Sequence, residues 1–496
     1  MLDRSSGILM PVSSLPSKYG IGTFGREAYN FIDFLHEAGQ KYWQMLPLGP
    51  VSYGDSPYSP FSAFAGNPCY IDLESLIEEG FLSLDDCEAL NIGDEYVDYE
   101  KQFDFRYEIL HKAFLNCKSE YSDKINIFRA NNQWVEDYGL FMALKYHFSQ
   151  LPWFEWDVEI SNRNEPALGK YKARFKGEVQ FWIFLQCVFF EQYGKLKDYA
   201  HKRGISIIGD IPIYAAKDSV EAWAERKLFQ VDENMHISME AGVPPDLFSD
   251  AGQLWGNPVY NWGYLKETSY EWWIKRLKLS FGMYDIVRID HFRGLDEFWA
   301  VPAGSENAVA GKWMPAYGKE LFEQAIKKLG KLNIIAEDLG IITDSVIKLK
   351  NELGFPGMKV LQFAFDGNPL NPYLPESHEE NSVAYTGTHD NDTIKGWLEK
   401  LNNEARNYVF NVLEINPEKY TDNDIIYALI SKMLSSNSKL AVIPLQDYLC
   451  LGSQARINTP STPEGNWTWR VKKEMFTDKL ITKIREMTAK SSRILP

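Results

Sequence analysis

The sequence predicts an α/β fold, a (β/α)8 barrel of the TIM type, and three observations point there. Eight short apolar, β-rich runs recur along the chain, near residues 7–13, 41–46, 204–209, 284–290, 332–337, 357–364, 382–387 and 439–445. Helical patterns lie between several of them: Ala28, Phe31, Ile32, Leu35 and Ala38 recur at helical spacing and stop at Gly39, the glycine expected just past a helix C-terminus. Three of the runs end in acid, Ile286-Val287-Arg288-Ile289 in Asp290, Ile334-Ile335-Ala336 in Glu337, and Val383-Ala384-Tyr385 shortly afterwards in His389-Asp390. A parallel barrel presents its chemistry at the mouth formed by the C-terminal ends of its strands. An open doubly wound sheet shares the same alternation of strand and helix and is the alternative architecture.

Two connections are too long for simple crossovers. Residues 47–203, with the Trp134, Trp153 and Trp156 group, read as an inserted helical subdomain after the second strand, and residues 217–283 form a second insertion after the third. The latter contains a loop over 242–262, rich in Gly, Pro and aromatic residues, whose length and lack of periodicity fit a connector or a functional lid, its aromatics favouring the lid. The expectation is one catalytic barrel domain over 1–496 with these helical insertions and no C-terminal β-domain, since only about 50 residues follow the last strand, too few for another sizeable domain.

Composition narrows the partners. The chain has 496 residues, 45% hydrophobic and 24% charged, with a net charge of −16 and no block of Lys or Arg, which disfavours nucleic acid. Aromatics make up 14% of it, including 15 Trp and 27 Tyr, and exposed rings suit flat, partly apolar ligands such as sugars. Its five cysteines, Cys69, Cys87, Cys117, Cys187 and Cys450, form no CxxC or Cys/His pattern and read as free thiols of a reducing, cytoplasmic compartment. The N-terminus lacks the features of a signal peptide, and the most apolar stretch, 182–190, is far short of the roughly 20 residues that span a bilayer, so no membrane partner is expected.

The chemistry is read from the strand ends. Strand side chains alternate faces, so Arg288 and Asp290 point the same way, about 6–7 Å apart along the strand. A cation that close favours an ionised Asp, suited to a nucleophile, although a structural ion pair reads the same in isolation. Glu337 follows Ile335 and Ala336, and desolvation there raises a carboxyl pKa, as a general acid requires; a solvated strand-end acid is the plainer alternative. Adjacent strands stand about 4.8 Å apart, which matches the roughly 5–5.5 Å between the two carboxyls of retaining glycoside cleavage. Thr388-His389-Asp390-Asn391-Asp392-Thr393 fits a clamp on substrate hydroxyls better than a metal site, for no second His or Cys cluster accompanies it. Asp210, in Gly209-Asp210-Ile211-Pro212, ends the third strand in the same manner, or simply opens a turn before proline.

Six segments in order, Ser56-Pro57-Tyr58, Gly209-Asp210-Ile211-Pro212, Gly252-Gln253-Leu254-Trp255-Gly256-Asn257-Pro258, Val287-Arg288-Ile289-Asp290-His291-Phe292-Arg293-Gly294, Ala336-Glu337-Asp338-Leu339-Gly340 and Thr388-His389-Asp390-Asn391, closely resemble the 4-α-glucanotransferases. These amylomaltases or disproportionating enzymes form glycoside hydrolase family 77 of the α-amylase clan, and the resemblance runs from about residue 6 to Arg470. It implies a retaining double displacement on α-1,4-glucans such as maltooligosaccharides and amylose, with another glucan or glucose as acceptor and no cofactor or metal. Asp290 is then the nucleophile, Glu337 the general acid/base, and Asp390 the carboxylate that holds the 2- and 3-hydroxyls of the distorted sugar. Arg288, His389, Asp210 and Tyr58 line the donor subsite, Gln253 and Trp255 sit on the lid, and Ser56, Asp366 and Asn458 are further sugar contacts. Two positions depart from the family pattern: the first strand reads Leu9-Met10-Pro11-Val12-Ser13 where a His is common, and Leu247 stands where an aromatic is common. An α-glucan hydrolase uses the same carboxylates, and a non-catalytic glucan-binding protein is the third reading.

Overall fold

The computed structural model describes residues 3–91, 93, 95–117, 119–245, 250–462 and 464–494. Within them lie twelve strands: β1 Ser5–Leu9, β2 Tyr42–Gln44, β3 Ser206–Ile211, β4 Met239–Val243, β5 Gln253–Pro258, β6 Ile286–Ile289, β7 Glu297–Pro302, β8 Lys312–Pro315, β9 Ile334–Ala336, β10 Gly357–Val360, β11 Ser382–Tyr385 and β12 Leu440–Pro444. Eight of them pair in parallel in the order β10-β11-β12-β1-β2-β3-β6-β9. The Ala336 amide donates to the Pro356 carbonyl at 2.9 Å, drawing β9 against the start of β10, so the sheet curls into a nearly closed barrel. Each of the eight apolar runs carries one of these strands.

The runs are legible because parallel barrel strands are covered on both faces and need apolar residues at consecutive positions. In β12 all five residues, Leu440 to Pro444, are buried, and so are all four of β6 and all three of β9. Gly209 in β3 is required by close approach, since a Cβ there would fall 2.1 Å from the Tyr284 ring. The first amphipathic pattern folds as the helix Arg26–Glu37 with Ala28, Phe31, Ile32 and Leu35 buried. Gly39 adopts φ +71°, a left-handed conformation in which glycine avoids the Cβ clash.

The first insertion is helical, its longest members Trp134–His147 and Lys176–Lys202. The second was expected to be helical and is mixed. It holds the helices Val220–Ala224, Trp262–Glu267 and Glu271–Met283 but also β4 and β5, which join β7 and β8 in an antiparallel sheet of order β5-β4-β7-β8. The expected lid loop is therefore anchored at both ends by paired strands, with Gly242 opposite Leu254 and Val243 opposite Gln253. Leu247, the position of one departure from the family pattern, lies outside the described residues. Among the described residues no helix is long and apolar enough to cross a membrane.

A buried ion pair ties the first insertion to the segment after β3. Lys145 Nζ lies 2.6 Å from Asp218 Oδ2 with the lysine side chain fully buried, and it also donates to the Gln150 and Leu151 carbonyls. The Trp153 amide donates to the other Asp218 oxygen at 3.1 Å. Removing one partner strands the other charge in a low-dielectric interior, so Asp218→Asn is expected to lower stability by about 3 kcal/mol. The check is the midpoint of urea unfolding compared with the parent chain; an unchanged midpoint contradicts this account of the anchor.

Candidate active site

Strand register builds the mouth. Asp210 of β3 is directly opposite Arg288 of β6, and Ile289 of β6 is opposite Ala336 of β9, which sets Asp290 beside Glu337 one position further on. The ladder continues past the formal strand ends: the Asp290 amide donates to the Ile211 carbonyl at 3.0 Å and the Glu337 amide to the Ile289 carbonyl at 3.2 Å. Three strand ends are thus held by backbone bonds at the point where their carboxylates emerge.

Arg288 is buried, and its Nη1 donates to both oxygens of Asp210, at 2.6 and 2.8 Å, and sits 3.1 Å from Asp290 Oδ1. Burial works against the guanidinium's charge, but Asp210 and Asp290 outweigh it and keep it protonated. Tyr58 donates its hydroxyl to Asp210 Oδ2 at 2.8 Å; burial, then the Asp210 charge, push that phenol far above its ordinary range, so it stays a donor. Its ring lies on that of His389, centroids 4.8 Å apart and planes 17° from parallel. His389 Nε2 is 3.3 Å from Asp390 Oδ2, and the Asn458 amide donates to Asp390 Oδ1 at 2.6 Å. Burial alone raises the Asp390 carboxyl, yet His389, Asn458 and Arg288 reverse this and hold it well below the usual carboxylate range. His389 is correspondingly pushed up, Asp390 overriding the opposing effect of burial.

Glu337 has a different environment. Its carboxyl accepts from the His291 amide at 2.6 Å and the Leu339 amide at 2.8 Å. The residue touches solvent on one side, but its carboxyl is deep enough that desolvation dominates; with the nearby Asp290 charge it pushes the pKa from 4.5 to about 8. His291, whose amide donates to Glu337, takes the left-handed conformation, φ +51°, and burial lowers its imidazole to about 4, so the ring is neutral near pH 7.

A cavity of about 600 Å³ opens here, its walls including Ser56, Tyr58, Gln253, Trp255, Asp290, His389, Asp390 and Asn458; Glu337 is not on the wall itself but lies one contact behind it, accepting from the amide of His291, which is. Asp210 and Arg288 stand one contact behind that wall, through Tyr58 and Asp290. Trp255 on β5 packs edge-on against His291, centroids 4.7 Å apart, and its indole N–H donates to the Gln253 side chain at 3.2 Å. Asp366 is not brought to the cavity; it is exposed in the loop after β10 and caps the Asn368 amide at 2.9 Å. The polar run after β11 also disperses: Asn391 accepts from the Thr388 amide, whereas Asp392 pairs with Lys400 and Ser453, so its acids do not converge on one point. Among the described residues no group of three or more His, Cys, Asp or Glu side chains is placed to hold a metal ion.

Sequence reading did not single out Tyr214, His291 or Trp467, which also line the cavity. His291 was visible as the residue after a strand-end Asp. Trp467, with φ +64° and its ring centroid 5.8 Å from that of Tyr58, sits in the polar Gly465-Asn466-Trp467-Thr468-Trp469 segment, whose aromatic repeat was the available signal.

A family model described as 4-alpha-glucanotransferase, glycoside hydrolase family 77, matches residues 10–476. A 4-alpha-glucanotransferase of Clostridium butyricum is 48% identical over 484 residues, covering 97% of this chain and 99% of that protein. One from Thermus thermophilus is 42% identical over 501 residues, covering 99% and 100%. Among solved structures, the amylomaltase of Streptococcus agalactiae in complex with acarbose superposes with a TM-score of 0.96 at 42% identity, covering 99% of this chain and 100% of that one.

The environment of Glu337 sets a pH dependence of stability. With its pKa raised from 4.5 to about 8, the folded chain keeps a proton that the unfolded chain releases, so this group's contribution to stability falls as pH rises across that interval. Glutamine does not titrate. The thermal midpoint of Glu337→Gln relative to the parent is expected to climb between pH 4.5 and about 8 and then level off; a difference that is flat with pH contradicts a protonated Glu337.

Proposed function

Because the chain belongs to the 4-α-glucanotransferase family, glycoside hydrolase family 77, we propose that Asp290 is its nucleophile, Glu337 its general acid/base and Asp390 the carboxylate that grips the sugar being transferred. The chain is an enzyme of α-1,4-glucan transfer. One observation carries the residue roles: two carboxyls at adjacent strand ends stand in opposed environments, Asp290 beside the Arg288 cation at 3.1 Å and Glu337 desolvated and pushed to about 8. A carboxyl kept protonated suits the acid, and its neighbour at the adjacent strand end, beside a cation, suits the nucleophile.

Glu337, protonated near neutrality, gives its proton to the glycosidic oxygen while Asp290 attacks the anomeric carbon. The bond to the leaving fragment breaks, and a covalent glucosyl-enzyme with inverted configuration forms. Glu337, now a carboxylate, takes the proton of an incoming 4-hydroxyl, which displaces Asp290 and restores the α configuration. Asp390, kept ionised by His389 and Asn458, supports the 2- and 3-hydroxyls as positive charge builds on the ring. Tyr58 and His389 offer a stacked aromatic wall to the donor sugar, Arg288 and Asp210 hold that wall from behind, and Ser56 and Asn458 add polar contacts.

Gln253 and Trp255 on β5 belong to the acceptor side, where excluding water and positioning a sugar hydroxyl favour transfer over hydrolysis. Glucose and maltooligosaccharides are the proposed acceptors, and Asp366, remote from the cavity, is left out of the donor and acceptor contacts. The carboxyls supply all the proton and electron-pair movements needed, so no cofactor is proposed. Five buried, free cysteines fit a reducing, cytoplasmic setting. We read the chain as one catalytic unit, its insertions walling the barrel mouth.

The test is incubation with maltotriose in the presence of EDTA, following the oligosaccharide ladder and total reducing ends together. A ladder with free glucose and constant reducing ends is expected, reduced by at least about 10⁴-fold in Asp290→Asn. Rising reducing ends identify a hydrolase instead, and full turnover by Asp290→Asn removes it from the nucleophile's role.

A further inference from the structure

A second cavity, of about 490 Å³, lies in the insertions, and it shares no lining residue with the one at the barrel mouth. Arg226, on its wall, is only 8% exposed. Its guanidinium donates to the Asn162 side chain at 3.2 Å and to the Ser161 and Met235 carbonyls, all neutral acceptors. Among the described residues the one charge acting appreciably on it is that of Arg163, of like sign. Arg163 also lines the cavity: one of its terminal nitrogens pairs with Asp137 at 2.9 Å, while the other, Nη1, is buried without a hydrogen-bond partner. Its guanidinium is held over the Trp223 ring, 4.3 Å from the centroid, which fixes the plane of its nitrogens.

A buried cation without a counter-charge is costly, and Arg226 stands on this wall beside a second guanidinium, paired with Asp137 on one side, whose Nη1 has no hydrogen-bond partner. An anion in that void relieves both, and the planar fork of a guanidinium matches two oxygens of a phosphate. The remaining polar lining adds a third cation, Lys227, and groups of another kind. Glu225, Asn162 and Asn234 are hydrogen-bonding groups suited to hydroxyls, and Tyr264 supplies an apolar face. The volume is within the range of small-molecule sites.

We propose that this cavity binds a phosphorylated sugar, its phosphate on Arg226 and Arg163 and its hydroxyls on Glu225 and the two asparagines. Glu225 explains why the ligand is a sugar phosphate rather than a bare anion, because a carboxylate repels free phosphate but accepts from hydroxyls. The site stands independently of the roles assigned at the barrel mouth.

The experiment is calorimetric titration of the full chain with glucose 6-phosphate and, separately, with inorganic phosphate. Saturable binding of glucose 6-phosphate is expected, tighter than that of phosphate, and weakened about tenfold or more by Arg163→Gln. Arg163 is partly exposed, so this variant is expected to fold even where Arg226→Gln does not. Glu225→Gln is expected to weaken glucose 6-phosphate while strengthening inorganic phosphate, a crossover that loss of folding cannot produce. The proposal is overturned by absence of saturable heat up to about 10 mM sugar phosphate, by binding that survives Arg163→Gln unchanged, or by phosphate binding as tightly as glucose 6-phosphate.

Discussion

The barrel mouth depends on one buried cation. Arg288 is 3% exposed and is placed by register opposite Asp210, so the fold itself delivers the counter-charge that its burial demands. From that pair a continuous chain of contacts runs outward: Asp290 on one side of the guanidinium, and on the other Asp210, Tyr58, His389, Asp390 and Asn458 in turn. The chain joins the ends of β3, β6 and β11 to the loops around residues 58 and 458. A side chain held from two sides loses little further freedom when a ligand binds, which is how a fold built from distant segments presents a preorganised site.

Glu337 is left out of this network, and the omission is chemically useful. Among the described residues its carboxyl accepts hydrogen bonds only from the backbone amides of His291 and Leu339, while the nearest cation, Arg288, donates to Asp210 and Met358 and lowers the Glu337 pKa too little to offset burial. Desolvation then prevails and the pKa rises to about 8. In the proposed mechanism the division of labour between Asp290 and Glu337 is therefore a consequence of which strand faces the guanidinium.

The eight barrel strands were legible because burial on both faces leaves no room for polar residues within a run, and the acids that ended three runs marked the mouth. Run ends were less exact: the first continues in sequence to Ser13, but Pro11 has no amide hydrogen for the ladder and β1 stops at Leu9. The antiparallel sheet was not legible. Its β4 contains Gly242, β5 contains Gly256 and ends in Pro258, and β8 is mostly exposed, so no period-two signal rises above a loop. The site residues on strand ends were readable from position, and those on loops, Ser56, Tyr58 and Asn458, came only from resemblance and reach the cavity through contacts that sequence spacing does not encode. Asp366 came from the same source, and its loop places it elsewhere. The buried, uncompensated Arg226 had no signal in sequence, since a lone arginine reads as surface until its surroundings are known.

The central claim is that a carboxylate fixed by Arg288 does covalent chemistry while Glu337 handles the proton. It is tested most directly by treating Glu337→Gln with α-maltosyl fluoride, whose leaving group needs no proton, and mapping the modified peptide by mass spectrometry. The account predicts a maltosyl adduct on Asp290 that accumulates because deglycosylation lacks its base. An adduct on any other residue, or steady turnover of the fluoride by an Asp290→Asn, Glu337→Gln double variant, would contradict it.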